Sequence, residues 1–311
     1  MGKALLLGIS ASFFFAFTFL LNQQMNLAGG SWLWSSSLRY IFMLVLLLIM
    51  MLIKGQTFSV IEDIKKKPGK WILWSTVGFG LFYSPLSFAS SYGPSWLVAG
   101  TWQITIICGA LLSPLFFKTI DTPKGKLKVR NKLPKKSLFM SLIILIGIFL
   151  IQFEQAKQVA ADKVIIGIIP VIIAAFSYPL GNRKMMEICS EDLNTFQRVF
   201  GMTLCSMPFW IFIALCGIYS AGLPSSNQIL QSAIVALFSG IIATILFFKA
   251  TDLVKHDIHK LAVVESTQSG EVIFTLLGAI LVFHDRLPTL IAFLGIALVI
   301  TGMILNSLNS N

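Results

Sequence analysis

Acidic residues are scarce in this sequence. It has 13 Asp and Glu in 311 residues, against 24 Lys and Arg. Charged residues of both signs make up only 12%, where a soluble domain carries about a quarter. That shortage excludes a soluble globular domain. Cysteine is also sparse, and the four present make no framework. Cys205 and Cys216 are 11 residues apart, about 16 Å along a helix and beyond disulfide reach. There is no C-x-x-C pair for a metal or a redox centre. The sequence also lacks an H-E-x-x-H, a G-x-S-x-G and a phosphate-binding Gly-Lys loop. It therefore makes no case for a zinc protease, a serine hydrolase or ATP-driven transport, and an enzyme is not expected. His256 and His259, with Asp252 and Asp257, sit in a short basic connector and read as surface residues, with no metal or other cofactor.

What the chain has is apolar length. Hydrophobic residues make up 56% and the mean hydropathy is +0.83. Ten apolar runs can be cut, at 3–23, 33–53, 71–91, 95–117, 137–153, 164–182, 195–217, 228–249, 261–283 and 287–306. Each approaches the ~20 residues that cross a bilayer. They show no strand-like alternation, so they read as helices, which satisfy their own backbone in lipid. The first run outlasts a signal-peptide core and reads as a span.

Lysine and arginine set the orientation. With the N-terminus inside, the inner segments carry 20 cationic residues and the outer loops only Lys157, Lys163 and Arg286. Cytoplasmic loops collect such charge, so both termini are expected in the cytoplasm. The net charge of +11 thus belongs to a membrane surface and not to nucleic acid. The loop at 118–136 is the most basic and reads as topogenic or as a partner site.

The sequence also repeats. At a shift of 159, Gly8-Ile9 falls on Gly167-Ile168, Ala16-Phe17 on Ala175-Phe176, Leu21 on Leu180, Ser31 on Ser190, Arg39 on Arg198 and Met43 on Met202. At a shift of 160, Gly80 falls on Gly240 and Phe88 on Phe248; further on, Thr101-Trp102-Gln103 falls on Ser266-Thr267-Gln268. Five spans per half inverts the second copy. The expected architecture is all-α and integral to the membrane: ten helices in two inverted repeats, 1–155 and 156–311, in one compact unit.

The chemistry is expected on Leu261–Phe283. That span holds Glu265, Gln268 and Glu271, and acids inside a membrane mark ion or substrate pathways. Glu265 and Arg198 lie at matching depth, which suggests a structural pair, a gate or a substrate contact. Glu271 lies near the midplane with no cation at its depth; it reads as a proton or cation site, or as a hydrogen-bonded acid in the bundle. Gln103 and Trp102 on span four, with Gln268, could line a cavity or bond between helices. Arg39 sits nearer the outer face, and Asn22, Gln23, Tyr83 and Ser84 are weaker candidates.

The ten spans in two halves, the Phe88-Ala-Ser-Ser-Tyr92 string and the V-V-E-S-T-Q-S-G-E-V-I-F-T-L-L-G string at 263–278 resemble the drug/metabolite transporter superfamily. More narrowly, the chain resembles its EamA/EmrE-like multidrug efflux branch, over essentially its whole length. The resemblance implies a central cavity among spans 1–4 and 6–9 and alternating access by rocking halves. The expected function is export of a small organic solute, a drug or metabolite, across the plasma membrane, coupled to protons. Spans one and six hold no acid, which leaves Glu271 or Glu265 to couple. A lipid-carrier flippase and a non-transporting sensor or scaffold are the alternatives. The oligomeric state is open.

Overall fold

The structure, a computed structural model, describes residues 1–92, 95–122, 125–156, 161–189, 192–283 and 289–308. Lys124, Lys157, Ser190 and Arg286, used above for topology or repeat, lie outside the described residues.

The first helix shows how the bundle is made. In α1 (Gly2–Leu27) the buried residues are Ala4, Gly8, Ala11, Ser12, Phe15, Ala16, Thr18, Phe19, Asn22 and Met25. Steps of three and four put them on one face. The other face presents Leu6, Ile9 and Phe13 outward. Buried Ser12, Thr18 and Asn22 opposite exposed Leu and Phe reverse the soluble pattern and fit a lipid surround. Among the described residues, six helical stretches are long and apolar enough to cross a membrane: Gly2–Leu27, Trp32–Ile53, Pro68–Ala89, Ile166–Ile188, Thr195–Ala221 and Ser226–Asp252. Ser95–Leu111 and Leu290–Asn306 are shorter apolar helices.

After α2 (Trp32–Ile53) comes a short amphipathic helix, α3 (Thr57–Lys66). Its Val60 and Asp63 are buried, and Asp63 accepts a hydrogen bond from Trp71 Nε1 at 3.1 Å. Pro68 opens α4 (Pro68–Ser75) at a position where its missing N–H costs nothing. A π-helical turn, Thr76–Gly80, leads into α5 (Leu81–Ala89). The next span is two pieces, α6 (Ser95–Trp102) and α7 (Ile104–Leu111), parted at Gln103. The basic loop then folds into an antiparallel hairpin, β1 (Phe117–Thr122) with β2 (Gly125–Arg130).

The helices α8 (Lys135–Ala156), α9 (Ala161–Ile188) and α10 (Thr195–Ala221) follow. Asn194 and Gln197 close a capping box on α10, and Gly222 ends it at φ +71°, a conformation glycine adopts without strain. A second π-helical turn, Ala236–Ala243, joins α11 (Ser226–Val235) to α12 (Thr244–Asp252). The acid-bearing span is broken too: α13 (Ile258–Ser266), a 3₁₀ turn Thr267–Ser269, and α14 (Gly270–Phe283). Last comes α15 (Leu290–Leu308).

Small residues let these helices touch. A Cβ on Gly181 would lie 2.5 Å from the Gly78 backbone nitrogen, so α9 meets the first π turn backbone to backbone. Gly295 faces the Gly147 carbonyl and Gly302 faces Ile144, which makes the α8–α15 seam an internal one. The four cysteines are free thiols.

Candidate functional site

The break in the acid-bearing span has a local cause. Ser266, Thr267 and Ser269 each donate a hydroxyl hydrogen bond to the carbonyl three residues back, at 2.7, 2.7 and 2.8 Å. Such back-bonding competes with the helix ladder. Helix α1 packs against the break through its own small residues: a Cβ on Gly8 would strike Thr267, and one on Gly270 would meet Ser12 at 2.7 Å. Glu271 follows at once, in the first turn of α14.

Glu271 and Gln268 face a central cavity with Phe15, Phe19, Phe82, Trp102 and Tyr178. Glu271 is 2% exposed. Trp102 lines the same cavity, and no cation pairs with Glu271 among the described residues. The walls are aromatic and close: the Tyr178 ring lies 4.5 Å from Phe82 and 5.8 Å from Trp102, centroid to centroid. The cavity holds about 10 Å³, room for one water. Glu271, Gln268 and Trp102 thus come together on one cavity. Gln103 does not line this space. It is fully buried, its amide nitrogen donates back to the Ala99 carbonyl at 3.1 Å, and its Oε1 has no partner among the described residues.

Glu265 pairs differently from the sequence expectation. Its partner is Arg183, not Arg198. Arg183 Nε donates to Oε1 at 3.0 Å and Nη2 to Oε2 at 2.7 Å, with both side chains buried. The physical reason is helix length. The sixth apolar run was cut at residue 182, but α9 continues to Ile188, so Arg183 is still inside the bundle. Gly109 makes room, since a Cβ there would overlap the Glu265 carboxylate. Arg198 pairs instead with Asp252 at 2.7 Å, and Thr195 Oγ1 donates to the same carboxylate at 2.6 Å.

Arg39 is 1% exposed and has no carboxylate partner among the described residues. Its guanidinium lies 3.8 Å from the Tyr83 ring centroid, and Nη2 donates to Ser239 Oγ at 3.2 Å. A desolvated cation–π contact of this kind contributes about 2 kcal/mol. Ser239 in turn hydrogen-bonds Thr18, which lines the central cavity. Of the weaker candidates, Asn22 donates to the Tyr83 hydroxyl at 3.2 Å and Gln23 accepts from the Ser95 N–H at 2.8 Å.

A second, larger cavity of about 900 Å³ opens at the end of the bundle that carries the basic connectors. Arg183, Arg198, Asp252, Lys70, Lys128 and Lys255 face it. Sequence reasoning missed Arg183 and Asp252 here, and Tyr178 in the central wall. A Tyr-Pro step at 178–179 was the only signal for the last of these, and it reads equally as a kink.

The sequence profile of the family described as "EmrE: Putative multidrug resistance efflux transporter" matches residues 2–311. The chain is 53% identical over 308 residues to "Uncharacterized protein YjlA" of Bacillus subtilis (strain 168), covering 99% of this chain and 95% of that one. It is 48% identical over 269 residues to the Shouchella clausii "Uncharacterized 42.1 kDa protein in intracellular alkaline protease 3'region", covering 86% of this chain and 70% of that one. A solved crystal structure of 13% identity superposes with a TM-score of 0.71, covering 100% of this chain and 98% of that one, a likeness of fold.

Proposed function

This chain belongs to the "Putative multidrug resistance efflux transporter" family, and on that premise we propose that it exports a small organic solute by alternating access, coupled to protons at Glu271. The observation that carries the reading is Glu271 itself: a buried carboxylate with no cationic partner among the described residues, beside a break in its helix, on a cavity walled by aromatic rings. An acid so placed exchanges a proton for a polar group of the solute, and the rings hold the solute's flat or apolar part.

The transporter plan is ten spans in two inverted halves, 1–155 and 156–311. Two pairs of backbone irregularities support it. The π turns start at Thr76 and Ala236, 160 residues apart, the same shift that sets Gly80 on Gly240. The breaks at Gln103 and at Thr267–Ser269 fall where Thr101–Gln103 aligns with Ser266–Gln268. π turns and broken helices recur at functional sites and at transporter midplanes. Both termini are assigned to the cytoplasm and the protein to the plasma membrane. The gathering of basic connectors at one end supports this.

In this scheme Arg183–Glu265 is the inner gate. Arg183 faces the basic-end vestibule, and Glu265 lies six residues before Glu271, about 9 Å along a helix. Arg198–Asp252 braces the same end, while Arg39 serves the opposite half through Ser239 and Thr18. The test is solute flux in proteoliposomes under an imposed pH gradient. Glu271→Gln is expected to abolish gradient-driven flux while leaving the protein folded. Undiminished coupling in that variant removes Glu271 from the mechanism.

A further inference from the structure

The vestibule at the basic end has more hydrogen-bond donors than the protein itself uses. Among the described residues, five cationic side chains face it, Lys70, Lys128, Arg183, Arg198 and Lys255, against the carboxylates of Glu187 and Asp252. Both carboxylates are engaged: Asp252 by Arg198 and Thr195, and Glu187 by Lys184 at 2.9 Å. Yet Arg183 Nη1 and Arg198 Nε and Nη2 are buried without a partner among the described residues. These are not solvated surface groups, for the two side chains are 3% and 7% exposed. Leaving a charged donor buried and unmade is costly. These three atoms show no surface to the cavity as it stands, the guanidiniums lying over the Phe116 and Phe248 rings at 5.7 and 5.1 Å, so an acceptor relieves that cost once the cavity wall shifts to expose them.

The donors also suit one kind of acceptor. Guanidinium forks match carboxylate and phosphate oxygens. They come from separate elements, α9 and α10, and the exposed lysines of α4, β2 and the connector after α12 surround them. A mouth of net positive charge with low-dielectric walls concentrates anions.

We propose that this vestibule is an anion site, which captures the carboxylate or phosphate group of the solute before it reaches the central cavity. The assignment of that group to an exported solute rests on the transport reading above; the binding chemistry does not. A lipid phosphate presented from the surrounding leaflet has the same chemistry. The inside-negative potential would favour outward passage of an anion.

The test uses the full-length protein in detergent and in nanodiscs, at constant ionic strength balanced with chloride. Sodium phosphate and trisodium citrate are expected to stabilise the detergent-solubilised protein saturably against heat, as binding to the folded state requires. Arg198→Gln should weaken the apparent affinity about tenfold, the equivalent of one charge-assisted hydrogen bond. Because Arg198 also braces Asp252, the triple variant Lys70→Gln, Lys128→Gln, Lys255→Gln serves as the second arm. Its lysines are exposed, so the fold should survive, and the affinity should fall about tenfold with a flatter salt dependence. Competition by phosphatidylglycerol but not phosphatidylcholine nanodiscs would assign the site to a headgroup; displacement by phosphate alone would assign it to a soluble anion. The proposal is overturned if neither ion stabilises the wild type beyond chloride, or if the lysine variant binds both unchanged. Anion binding without solute flux in proteoliposomes would defeat the transport reading and leave this site standing. Flux indifferent to both ions and to the lysine variant would do the reverse.

Discussion

Breaking the Arg183–Glu265 pair should be among the most damaging single changes available in this protein. The two side chains meet through two parallel hydrogen bonds, 2.7 and 3.0 Å, and both are almost wholly buried. Removing one partner strands a buried charge, which costs about 3–5 kcal/mol. For a chain of this size about 2 °C of melting temperature corresponds to each kcal/mol, so Arg183→Gln or Glu265→Gln should lower the apparent melting temperature by about 6–10 °C. The double variant strands nothing. It should lose much less than the sum, with a coupling of about 2 kcal/mol or more. A parallel cycle on Arg198 and Glu265 should give less than about 0.5 kcal/mol, the value for residues that share no partner. The assay is thermal unfolding of the detergent-purified variants, checked by reversible SDS unfolding, since heat denaturation of a many-helix protein is not two-state. Additive losses for Arg183 and Glu265, or strong coupling between Arg198 and Glu265, would refute the pairing and with it the inner gate.

Two further outcomes follow from packing and burial. Gly181→Ala puts a methyl group 2.5 Å from the Gly78 nitrogen, and overpacking of rigid backbone should cost about 1–3 kcal/mol; Gly167→Ala, with nothing within 4 Å, should be neutral in the same melting assay. Cys189 lies beyond the end of α9, and burial pushes its thiol up to about 12. Only the thiolate reacts, so with Cys108, Cys205 and Cys216 replaced by Ala, maleimide labelling at pH 8 should be far slower than in the SDS-unfolded chain. Labelling should quicken about tenfold per pH unit towards that value; labelling at the unfolded rate at pH 8 would show the thiol to be free.

The sequence announced the apolar helices, because they rest on local composition, but not the break at Thr267–Ser269 within the acid-bearing span. It misassigned Arg183. The run Gly-Asn-Arg-Lys at 181–184 is polar enough to end a hydropathy window, and only the third dimension supplies the Glu265 carboxylate that keeps Arg183 inside. The choice between Arg183 and Arg198 was settled by the length of α9, which carries Arg183 into the bundle beside Glu265, and depth alone does not encode that. The hairpin at 117–130 and the amphipathic α3 were missed for a related reason: a basic connector reads the same whether or not its backbone is ordered. The inward turn of Gln103 towards Ala99, away from the cavity, had no sequence signal at all.

The central cavity leaves room for one water, whereas any organic solute is many times larger. Its walls are stiff rings in mutual contact, so a guest must push helices apart before it can be held. The affinity measured for such a guest is its intrinsic affinity multiplied by the fraction of molecules already parted. Hydrostatic pressure, which favours whichever state packs with less void, becomes a direct probe of that fraction. If the proposed transport runs through this cavity, the protein is tight by default and loosens only for a solute that repays the work of opening, so selectivity would reside as much in the resistance of Phe82, Trp102 and Tyr178 to separation as in the groups that finally touch the cargo.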